Sequence, residues 1–466
     1  MARGKKKEML TPEERLQAAL VPESEQPYKV PGNWCWVRVS SVCEFERGIT
    51  FPASAKEKEP TNTNIPCLRT ANVQDELEID DLIYVDKAYM KGNEAKLVQK
   101  DDIIMSSANS RELVGKTSYV HDVPFPMTFG GFVLTIRAKT IISKYLFYFL
   151  RLEFLSGRFM GESTQTTNIA NINTTKLGGY ALSLPPLAEQ QRIVDRIESL
   201  FAKLDEAKQK AQDALDSFET RKAAILHKAF TGELTAQWRK EHGVGMESWE
   251  TKKLSEVARL QTGIMKGKHY TGQTIMLPYL RVANVQDGFL NLDEIKEIEV
   301  APEQVERYSL LDGDVLFTEG GDYDKLGRGT VWQGQIKNCL HQNHVFVVRP
   351  HADVLNPYFL SHQAGSRYGK QYFLKCSKQT TNLASINSTQ LKGFPVLIPA
   401  LEEQVQIVSH IDDLLAKEQQ AKEAAEGVLE QINLIKKAIL ARAFRGELGT
   451  NDPSEENAVE LLKVIV

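Results

Sequence analysis

The sequence has few cysteines, no long apolar run and no excess of basic charge. Its five cysteines are odd in number and scattered, without a CxxC pair, which indicates a reducing compartment and structural thiols rather than a zinc site. No apolar stretch approaches the roughly 18 to 20 residues that span a bilayer. We therefore expect a cytoplasmic protein without a membrane segment.

The formal net charge of −4 provides no overall basic field that would attract nucleic acid. Any contact with nucleic acid must then use local patches, or a partner that supplies more positive charge. Catalytic patterns are missing as well, since the chain has no HExxH, no GxSxG and no paired histidine spacing for a metal. We expect neither a catalytic residue nor a metal site in this chain.

Two short segments approach known motifs without completing them. Residues 263–269, GIMKGKH, have glycines too close together for a phosphate-binding loop, and no Ser or Thr follows the lysine. Asn-Pro-Tyr at 356–358 lacks one proline of the adenine-holding tetrapeptide of DNA methyltransferases. Asn356 suits a helix N-cap and Pro357 a first helical residue, so we expect a helix to begin there.

The chain is a duplication. The segment LRVANVQDG, Leu280 to Gly288, nearly repeats LRTANVQDE, Leu68 to Glu76, which lies 212 positions earlier. The same offset aligns FVLTIR with HVFVVR, and an offset of 214 aligns TTNIANINTTKL with TTNLASINSTQL. A period this long indicates a repeated domain with its attachments, not a solenoid unit.

Each copy is predicted to be a mixed α/β domain followed by a long helix. Short strand-like runs alternate with Gly, Pro and Asn loops around one helical stretch. The long helix opens with proline and acids, in PPLAEQQ and PALEEQ, and closes at Gly232 or Gly446. The predicted divisions are a leader 1–31, a first domain 32–184, a first helix 185–234, a linker 235–248, a second domain 249–398, a second helix 399–448 and a tail 449–466.

Both helices carry a heptad seam over more than four repeats. The predicted seam residues are Ile193, Ile197, Leu200, Leu204, Phe218, Ile225, Ile407, Ile411, Leu414, Val428, Ile432 and Ile439. A long, narrow seam that occurs twice favours a helix pair over an amphipathic helix lying on a domain. Connectivity makes the pair an antiparallel coiled coil with a pseudo-two-fold axis. From Ile193 to Phe230 it measures about 55 Å, more than the roughly 35 Å of one turn of duplex DNA.

Several of these segments resemble the repeated conserved regions of the specificity subunits of Type I restriction-modification enzymes. The resemblance rests on LPPLAEQQRIVDRIESLFAKLDEAK and AAILHKAFTGELTAQWR in the first copy, and on IPALEEQVQIV and AILARAFRGEL in the second. The P-x-L-x-E-Q opening, the helix, the A-F-x-G-E-L close and the two variable domains follow the family's order over essentially the whole chain.

The resemblance implies a DNA-binding subunit without catalysis of its own. Each domain would be a target recognition domain that reads one half of a bipartite, asymmetric sequence in double-stranded DNA, and the helices would set the spacer between the halves. The helices would also dock two modification subunits, which use S-adenosylmethionine to methylate an adenine flipped out of the duplex. Two restriction subunits, which translocate DNA with ATP and magnesium, would complete the complex. This chain would bind neither cofactor.

Loops that differ between the copies are the candidate DNA-reading segments, because positions alike in both serve a shared fold or shared phosphate contacts. These loops are 46–64, 106–116, 161–165, 261–273, 318–329 and 374–379. Their polar side chains can hydrogen-bond base edges and phosphates. The predicted DNA-binding residues are Arg47, Lys56, Asn109, Arg111, Lys116, Gln165, Thr166, Asn168, Lys266, Lys268, His269, Lys325, Arg328, Gln379, Thr380 and Asn382. The shared QTTN segments are equally compatible with a backbone contact and with a turn that caps a strand.

The repeated LRxANVQD segment belongs to the shared part. Arg69 and Asn72, like Arg281 and Asn284, are expected to brace a strand and a turn common to both domains, with a phosphate contact as the alternative. Two other functions stay open from the residues alone. One is a coiled-coil scaffold that pairs two protein-binding domains, which the acidic balance favours. The other is an enzyme with an unrecognised duplicated site, which the lack of a shared nucleophile, base or metal group opposes.

Overall fold

The protein forms two compact units in a computed structural model, which describes residues 11–165, 169–267, 270, 272–321, 326–379 and 384–465. One unit contains the residues up to Lys210 together with those from Val428 onwards, and the other is Ala211–Gly427. Each unit holds one mixed α/β domain and a part of both long helices. Within these ranges no helix combines the length and the apolar character that crossing a membrane requires.

The elements of the first domain and its long helix follow in chain order. The helices are α1 (Pro12–Ala19), α2 (Val39–Val42), α3 (Ser143–Leu155), α4 (Arg158–Glu162), α5 (Thr174–Gly178) and α6 (Leu187–Asp216). The strands are β1 (Cys35–Arg38), β2 (Cys43–Arg47), β3 (Asn64–Leu68), β4 (Ile83–Asp86), β5 (Ile103–Ser106), β6 (Ala108–Asn109), β7 (Thr117–Tyr119), β8 (Thr128–Phe129), β9 (Val133–Ala138), β10 (Thr164–Gln165), β11 (Ala170–Asn171) and β12 (Ala181–Leu184).

In the rest of the chain, α7 completes the first long helix, α8 follows it in the linker, and the later elements repeat the order of the first domain with one additional short helix, α10. The helices are α7 (Phe218–Phe230), α8 (Ala236–His242), α9 (Leu254–Val257), α10 (Val305–Tyr308), α11 (Pro357–Gly365), α12 (Arg367–Cys376), α13 (Ser388–Lys392), α14 (Leu401–Phe444) and α15 (Ala458–Ile465). The strands are β13 (Glu250–Lys253), β14 (Ala258–Thr262), β15 (Ile275–Leu280), β16 (Lys296–Val300), β17 (Val315–Thr318), β18 (Gly320–Gly321), β19 (Gly329–Val331), β20 (Leu340–His341), β21 (Val345–Pro350), β22 (Lys378–Gln379), β23 (Ala384–Ser385) and β24 (Pro395–Ile398).

The two domains have the same sheet topology. The four-stranded sheet has the order β2-β9-β5-β7 in the first domain and β14-β21-β17-β19 in the second. A three-stranded sheet follows as β4-β3-β8 and β16-β15-β20, in which β8 and β20 pair in parallel with the central strand. A smaller sheet has the orders β10-β11-β6 and β22-β23-β18. The predicted duplication and the mixed α/β class are confirmed.

The four-stranded sheets are buried on both faces, which is why their strands are apolar at consecutive positions. In β9, Leu134 and Ile136 belong to the large core that includes α3, and Val133 belongs to a second core on the other face. The predicted strand runs FVLTIR and HVFVVRP are β9 and β21, each in the interior of its sheet. These two sheets therefore form the rigid base that carries the loops.

A buried glutamine at the start of each long helix holds the adjoining domain. Gln190 accepts a hydrogen bond from the backbone N–H of Ile142 at 2.9 Å, where α3 begins. Gln404 accepts the equivalent bond from Asn356 at 2.8 Å, where α11 begins. The Asn356 side chain in turn accepts from the N–H of Tyr358 at 2.9 Å, so the helix start expected there is confirmed. The Q of P-x-L-x-E-Q thus joins the helix of the domain to the long helix.

The preceding glutamate is equally buried and binds the segment that follows the other long helix. Glu403 accepts hydrogen bonds from Thr235 at 2.7 Å, from the Arg239 guanidinium at 2.6 Å and from the Trp249 indole at 3.0 Å. The predicted linker 235–248 therefore contains an ordered helix, α8, whose Arg239 is buried in an ion pair with Glu403.

Glu189 does the same for the C-terminal tail in the first unit. It accepts hydrogen bonds from Thr450 at 3.0 Å and from the backbone N–H of Asn451 at 2.9 Å. Beyond this point α15 buries Ala458 and Leu462 in the core of the first domain, against which α1 also packs. The described parts of the predicted leader and tail, residues 11–31 and 449–465, are thus integral parts of this unit, because they cover apolar surface that would otherwise face water.

The long helices run antiparallel in each unit. In the first, Lys436 on α14 pairs with Asp205 on α6 at 2.6 Å, while Phe444 near the end of α14 lies in the core beside Ile193 near the start of α6. In the second, Glu418 pairs with Arg221 at 2.6 Å. His410 Nδ1 lies 3.2 Å from the carbonyl of Leu234, which follows α7, so residue numbers increase in opposite directions along α14 and α7.

The seam follows the strict heptad prediction only in part. Ile193, Ile197, Ile407, Ile411 and Ile432 are buried, whereas Val428 is 40% exposed. The half-buried seam residues are Leu200, Leu204, Phe218, Ile225, Leu414 and Ile439.

Around Val428, the half-buried side chains are those one position after the predicted seam positions. Lys422, Leu429 and Lys436 are half-buried, and the two lysines lie over the rings of Phe218 and Phe201, each 5.0 Å from the ring centroid. An α-helix with 3.6 residues per turn drifts out of a 3.5-residue repeat. The placement of Val428 in the seam was therefore wrong.

Removal of the Glu403 carboxylate should destabilise the second unit. Glu403→Ala leaves the Arg239 guanidinium buried without its counter-ion, and we expect a loss of about 3–5 kcal/mol in the free energy of unfolding. Urea unfolding followed by circular dichroism measures the loss. Glu402→Ala removes an exposed carboxylate from the adjacent position and should change stability by less than about 0.5 kcal/mol. Equal losses in the two variants would contradict the role given to the buried pair.

Candidate nucleic-acid interface

Each domain carries a tight turn immediately after β3 or β15. The Asn72 side chain accepts a hydrogen bond from the backbone N–H of Arg69 at 2.8 Å, and Asn284 accepts the same bond from Arg281 at 2.9 Å. Both asparagines are buried and donate their amide groups to backbone carbonyls further along the chain. The two guanidinium groups also donate to backbone carbonyls within their own domains. The bracing role expected for these residues is confirmed.

The glutamine two residues after each asparagine holds a basic side chain from another loop. The Lys116 ammonium donates to Gln74 Oε1, and the Arg328 guanidinium donates to Gln286 Oε1 at 3.0 Å. Each glutamine is oriented by a 2.8 Å bond from its Nε2 to the backbone carbonyl three residues earlier. Two of the predicted DNA-binding residues thus occupy equivalent places in the two domains.

The backbone before these basic residues requires glycine. Gly115 has a φ of +87° and Gly327 a φ of +69°, a conformation that L side chains rarely adopt. A Cβ atom at either position would overlap an aromatic ring, that of Phe159 or Phe373. The VGK and LGR segments therefore turn in the same way. They place Lys116 and the equivalent arginine at the same point, directly before β7 and β19.

Two of the divergent loops meet at the small sheet of each domain. In the first domain β6 contains Asn109, which pairs with Ala170 of β11, and β10 with Gln165 completes the sheet. Asn109 is half-buried and donates to the Ser106 hydroxyl at 3.0 Å, while Arg111 is exposed in the same loop. The strands β18, β23 and β22 bring the equivalent loops together in the second domain.

The remaining predicted residues lie apart from this sheet or outside the described residues. Arg47 is exposed at the end of β2, and Lys266 is exposed in the turn after β14. Lys56 is exposed near β4, since its neighbour Glu57 forms a backbone bridge to that strand. Only the backbone of Gln165 and Gln379 is described. Outside the described residues lie Thr166, Asn168, Lys268, His269, Lys325, Thr380 and Asn382.

One exposed pair beside these loops escaped the sequence analysis. Phe132 is 62% exposed, and its carbonyl accepts both the N–H and the hydroxyl of Ser107, each at 3.0 Å. His344 occupies the equivalent position in the second domain, where its carbonyl accepts the N–H of Glu319 at 3.0 Å and its ring pairs with the Glu319 carboxylate. Both residues stand in runs that were interpreted only as strands. The residue type at this position differs between the copies, and that difference could have identified both residues from the sequence.

The aspartate that ends each repeated segment faces the helices. Asp75 pairs with Arg151 of α3 at 2.7 Å, and Asp287 lies 3.5 Å from Lys222 of α7. Partial burial raises the pKa of Asp75, but the Arg151 guanidinium, with Lys116 and Lys436 further away, brings this pKa below its ordinary value. The carboxylate is therefore ionised at neutral pH and anchors the turn.

Four of the five cysteines have the buried, structural character expected of them. Cys35, Cys43, Cys67 and Cys339 are buried and free, and burial raises the pKa of each thiol to about 12. Thiols with such a pKa are protonated at neutral pH and do not act as metal ligands or nucleophiles. Across the described ranges, no three His, Cys, Asp or Glu side chains cluster in a way that could hold a metal ion.

Comparison with known proteins identifies the family. The model of the Type I restriction modification DNA specificity domain matches residues 31–215 and again residues 246–428. The chain belongs to the Type I restriction-modification specificity family. It is 28% identical over 433 residues to the EcoKI specificity subunit of Escherichia coli K12, and 27% identical over 426 residues to the StySPI specificity subunit of Salmonella potsdam. Both matches cover 90% of this chain and 90% of the relative.

Solved structures of the family share the fold. An HsdS subunit from Thermoanaerobacter tengcongensis matches with a TM-score of 0.62 at 20% identity, over 91% of this chain and 100% of that chain. A chain from work on complex assembly and conformational transition of the type I R-M system matches with a TM-score of 0.63 at 20% identity and the same coverage. The resemblance and the fold class inferred from the sequence, two mixed domains joined by two long helices, are confirmed.

A buried histidine lies next to the repeated turn of the second domain. His341 on β20 pairs with Leu280, directly before the turn, and its Nδ1 lies 2.7 Å from the Val345 carbonyl. Burial lowers the pKa of His341 to about 4, although the Val345 carbonyl and Asp314 raise it. The equivalent residue in the first domain is Phe129, which is also completely buried. An apolar ring therefore fits this place in the family fold.

This histidine should make the stability of the second domain depend on pH. Its pKa is about 4 in the folded chain and 6.5 when exposed, so the unfolded chain binds a proton first as the pH falls. Stability is fully present above pH 6.5 and decreases towards pH 4 by about 3 kcal/mol. His341→Phe should remove this decrease in urea unfolding measured across that range. His351→Gln changes an exposed histidine and should retain it. An unchanged slope in His341→Phe would contradict the assignment.

Proposed function

We propose that this chain is the DNA-reading subunit of a Type I restriction-modification complex. Each domain reads one half of a bipartite, asymmetric target in double-stranded DNA, and the antiparallel helices fix the spacer between the halves. The chain itself is not an enzyme. It directs two modification subunits, which bind S-adenosylmethionine and methylate adenine, and two restriction subunits, which use ATP and magnesium.

One observation carries this proposal: two domains of identical topology present different loops from the same positions. The four-stranded sheet, the braced turn and the glutamine-held cation recur in both copies. The loops that end in Lys116 and Arg328 have the same length, but their polar sequences are unrelated. A common base with different loops supports two readers of different half-sites, since shared contacts fix position on the duplex and differing contacts specify bases.

The predicted DNA-binding residues fall into the same two classes, those that fix position and those that specify bases. Lys116 and Arg328 keep a positive charge at equivalent points, which suits phosphate contacts. Asn109 and Arg111 lie in the part of the loop 106–116 that differs from its counterpart in the second domain, which suits base contacts. The exposed Phe132 joins them as a candidate, because an apolar side chain at a DNA surface can contact a thymine methyl group or enter a base step.

The proposal is tested with the chain co-expressed with its modification subunit. We expect the complex to retard duplex DNA in gel shifts and to deposit N6-methyladenine at one bipartite sequence when expressed in a methylation-free host. Sequencing of methylated adenines gives both half-sites and the spacer. If the complex binds no duplex and leaves no methylation, the chain is a scaffold that pairs two protein-binding domains, as the net charge of −4 would favour.

Longer helices should change the spacer and nothing else. A seven-residue insertion in α6, matched by one in α14, keeps apolar residues facing the partner helix and lengthens the pair by about 10 Å. The methylated sequence should keep both halves, with a spacer longer by up to about three base pairs. A variant with Leu434→Ser, which changes only an exposed side chain of α14, should methylate the wild-type target. A changed half-site in the insertion variant would refute the division between domains and helices.

A further inference from the structure

We propose that Gln74 and Gln286 are positioning residues, which hold Lys116 and Arg328 for contact with DNA phosphates without neutralising their charge. This inference rests on the proposed DNA-reading function. It assigns a role to the most nearly identical segment of the two copies, the segment that braces the turn and yet contains a side chain reaching into a divergent loop.

The geometry is the same twice. In each domain the glutamine and the cation it holds are 42 residues apart, and the bond joins the turn after β3 or β15 to the residue before β7 or β19. The glutamine side chain is held in one orientation, because its Nε2 donates a hydrogen bond to a carbonyl of its own turn. Its Oε1 is therefore presented to the loop as a fixed acceptor.

Lys116 and Arg328 differ from the structural cations of the same domains in the group that holds them. The Arg137 guanidinium pairs with Asp102 at 2.8 Å, and Arg349 pairs with Asp314 at 2.6 Å. Those two pairs are also equivalent between the domains, and in each a buried carboxylate balances the charge. An amide oxygen also orients a cation, but because it is neutral it leaves the positive charge available to an anion such as a phosphate.

A carboxylate is available one residue further along and is turned away. Asp75 forms its ion pair with Arg151, and Asp287 lies beside Lys222. The repeated segment thus separates two tasks between neighbouring residues: the acid anchors the turn to a helix, and the neutral amide holds the loop cation. The cation is lysine in one domain and arginine in the other, so what both copies keep is charge, which a phosphate recognises, and not the planar fork that reads guanine.

The test measures DNA binding by the complex with modification subunits over a range of salt concentrations, on a duplex that carries the mapped target. Lys116→Ala should weaken binding about 10-fold and lower the slope of log affinity against log salt by about 0.9, the value for one phosphate. Gln74→Glu should do the same, because the new carboxylate pairs with Lys116 and removes its charge from the DNA. The double variant should bind no more weakly than Lys116→Ala alone.

Gln99→Glu adds the same charge at an exposed position of the first domain and should bind with the wild-type slope. Gln286→Glu with Arg328→Ala repeats the measurement in the second domain, which covers the case in which a first-domain variant fails to fold. The proposal is overturned if the glutamate variants bind with wild-type affinity and slope, or if their losses multiply with those of the alanine variants. Failure of the wild-type complex to bind DNA would instead remove the proposed function.

Discussion

The buried Glu-Gln pair at the start of each long helix is the interaction on which the rest of the molecule depends. The glutamine joins a domain to its long helix by accepting a hydrogen bond from the backbone N–H at the start of α3 or α11. The glutamate fixes the chain that follows the other helix, as Glu403 does with Arg239 and Glu189 with Thr450. Such buried polar groups are costly unless every partner is present. The domain, the start of one long helix and the segment after the other therefore stabilise one another through these buried contacts.

On this base each domain combines a common frame with loops that differ between the copies. The turn after β3 and its equivalent after β15 are built from side chains whose partners are backbone atoms, so they do not depend on the neighbouring loop sequences. Loops can then change in composition without disturbing the sheets. The cation at the end of each hairpin loop is the exception, since it belongs to a variable loop while a glutamine of the common part holds it in place.

The sequence predicted the duplication, the fold class, the antiparallel helices and the family, because each depends on a pattern that repeats. It predicted the bracing role of Asn72 and Asn284 from their recurrence alone. It did not predict that the linker and the tail are ordered, since the partners of Glu403 and Glu189 are distant in the chain and carry no periodic signal. The placement of Val428 was wrong because an α-helix with 3.6 residues per turn drifts out of a strict heptad. The link from Gln74 to Lys116 was invisible because only folding brings the two segments together.

The Arg221–Glu418 ion pair lies at seam positions of the second unit, whereas the equivalent positions in the first unit hold Ile435 and Leu204. A pair made from two copies of the first helix would set Arg221 against leucine, and a pair made from two copies of the second would set Glu418 against isoleucine. Each leaves a half-buried charge unpaired. The Arg221–Glu418 ion pair thus favours the pairing of one helix of each kind, and the two long helices are not interchangeable although the chain is a duplication.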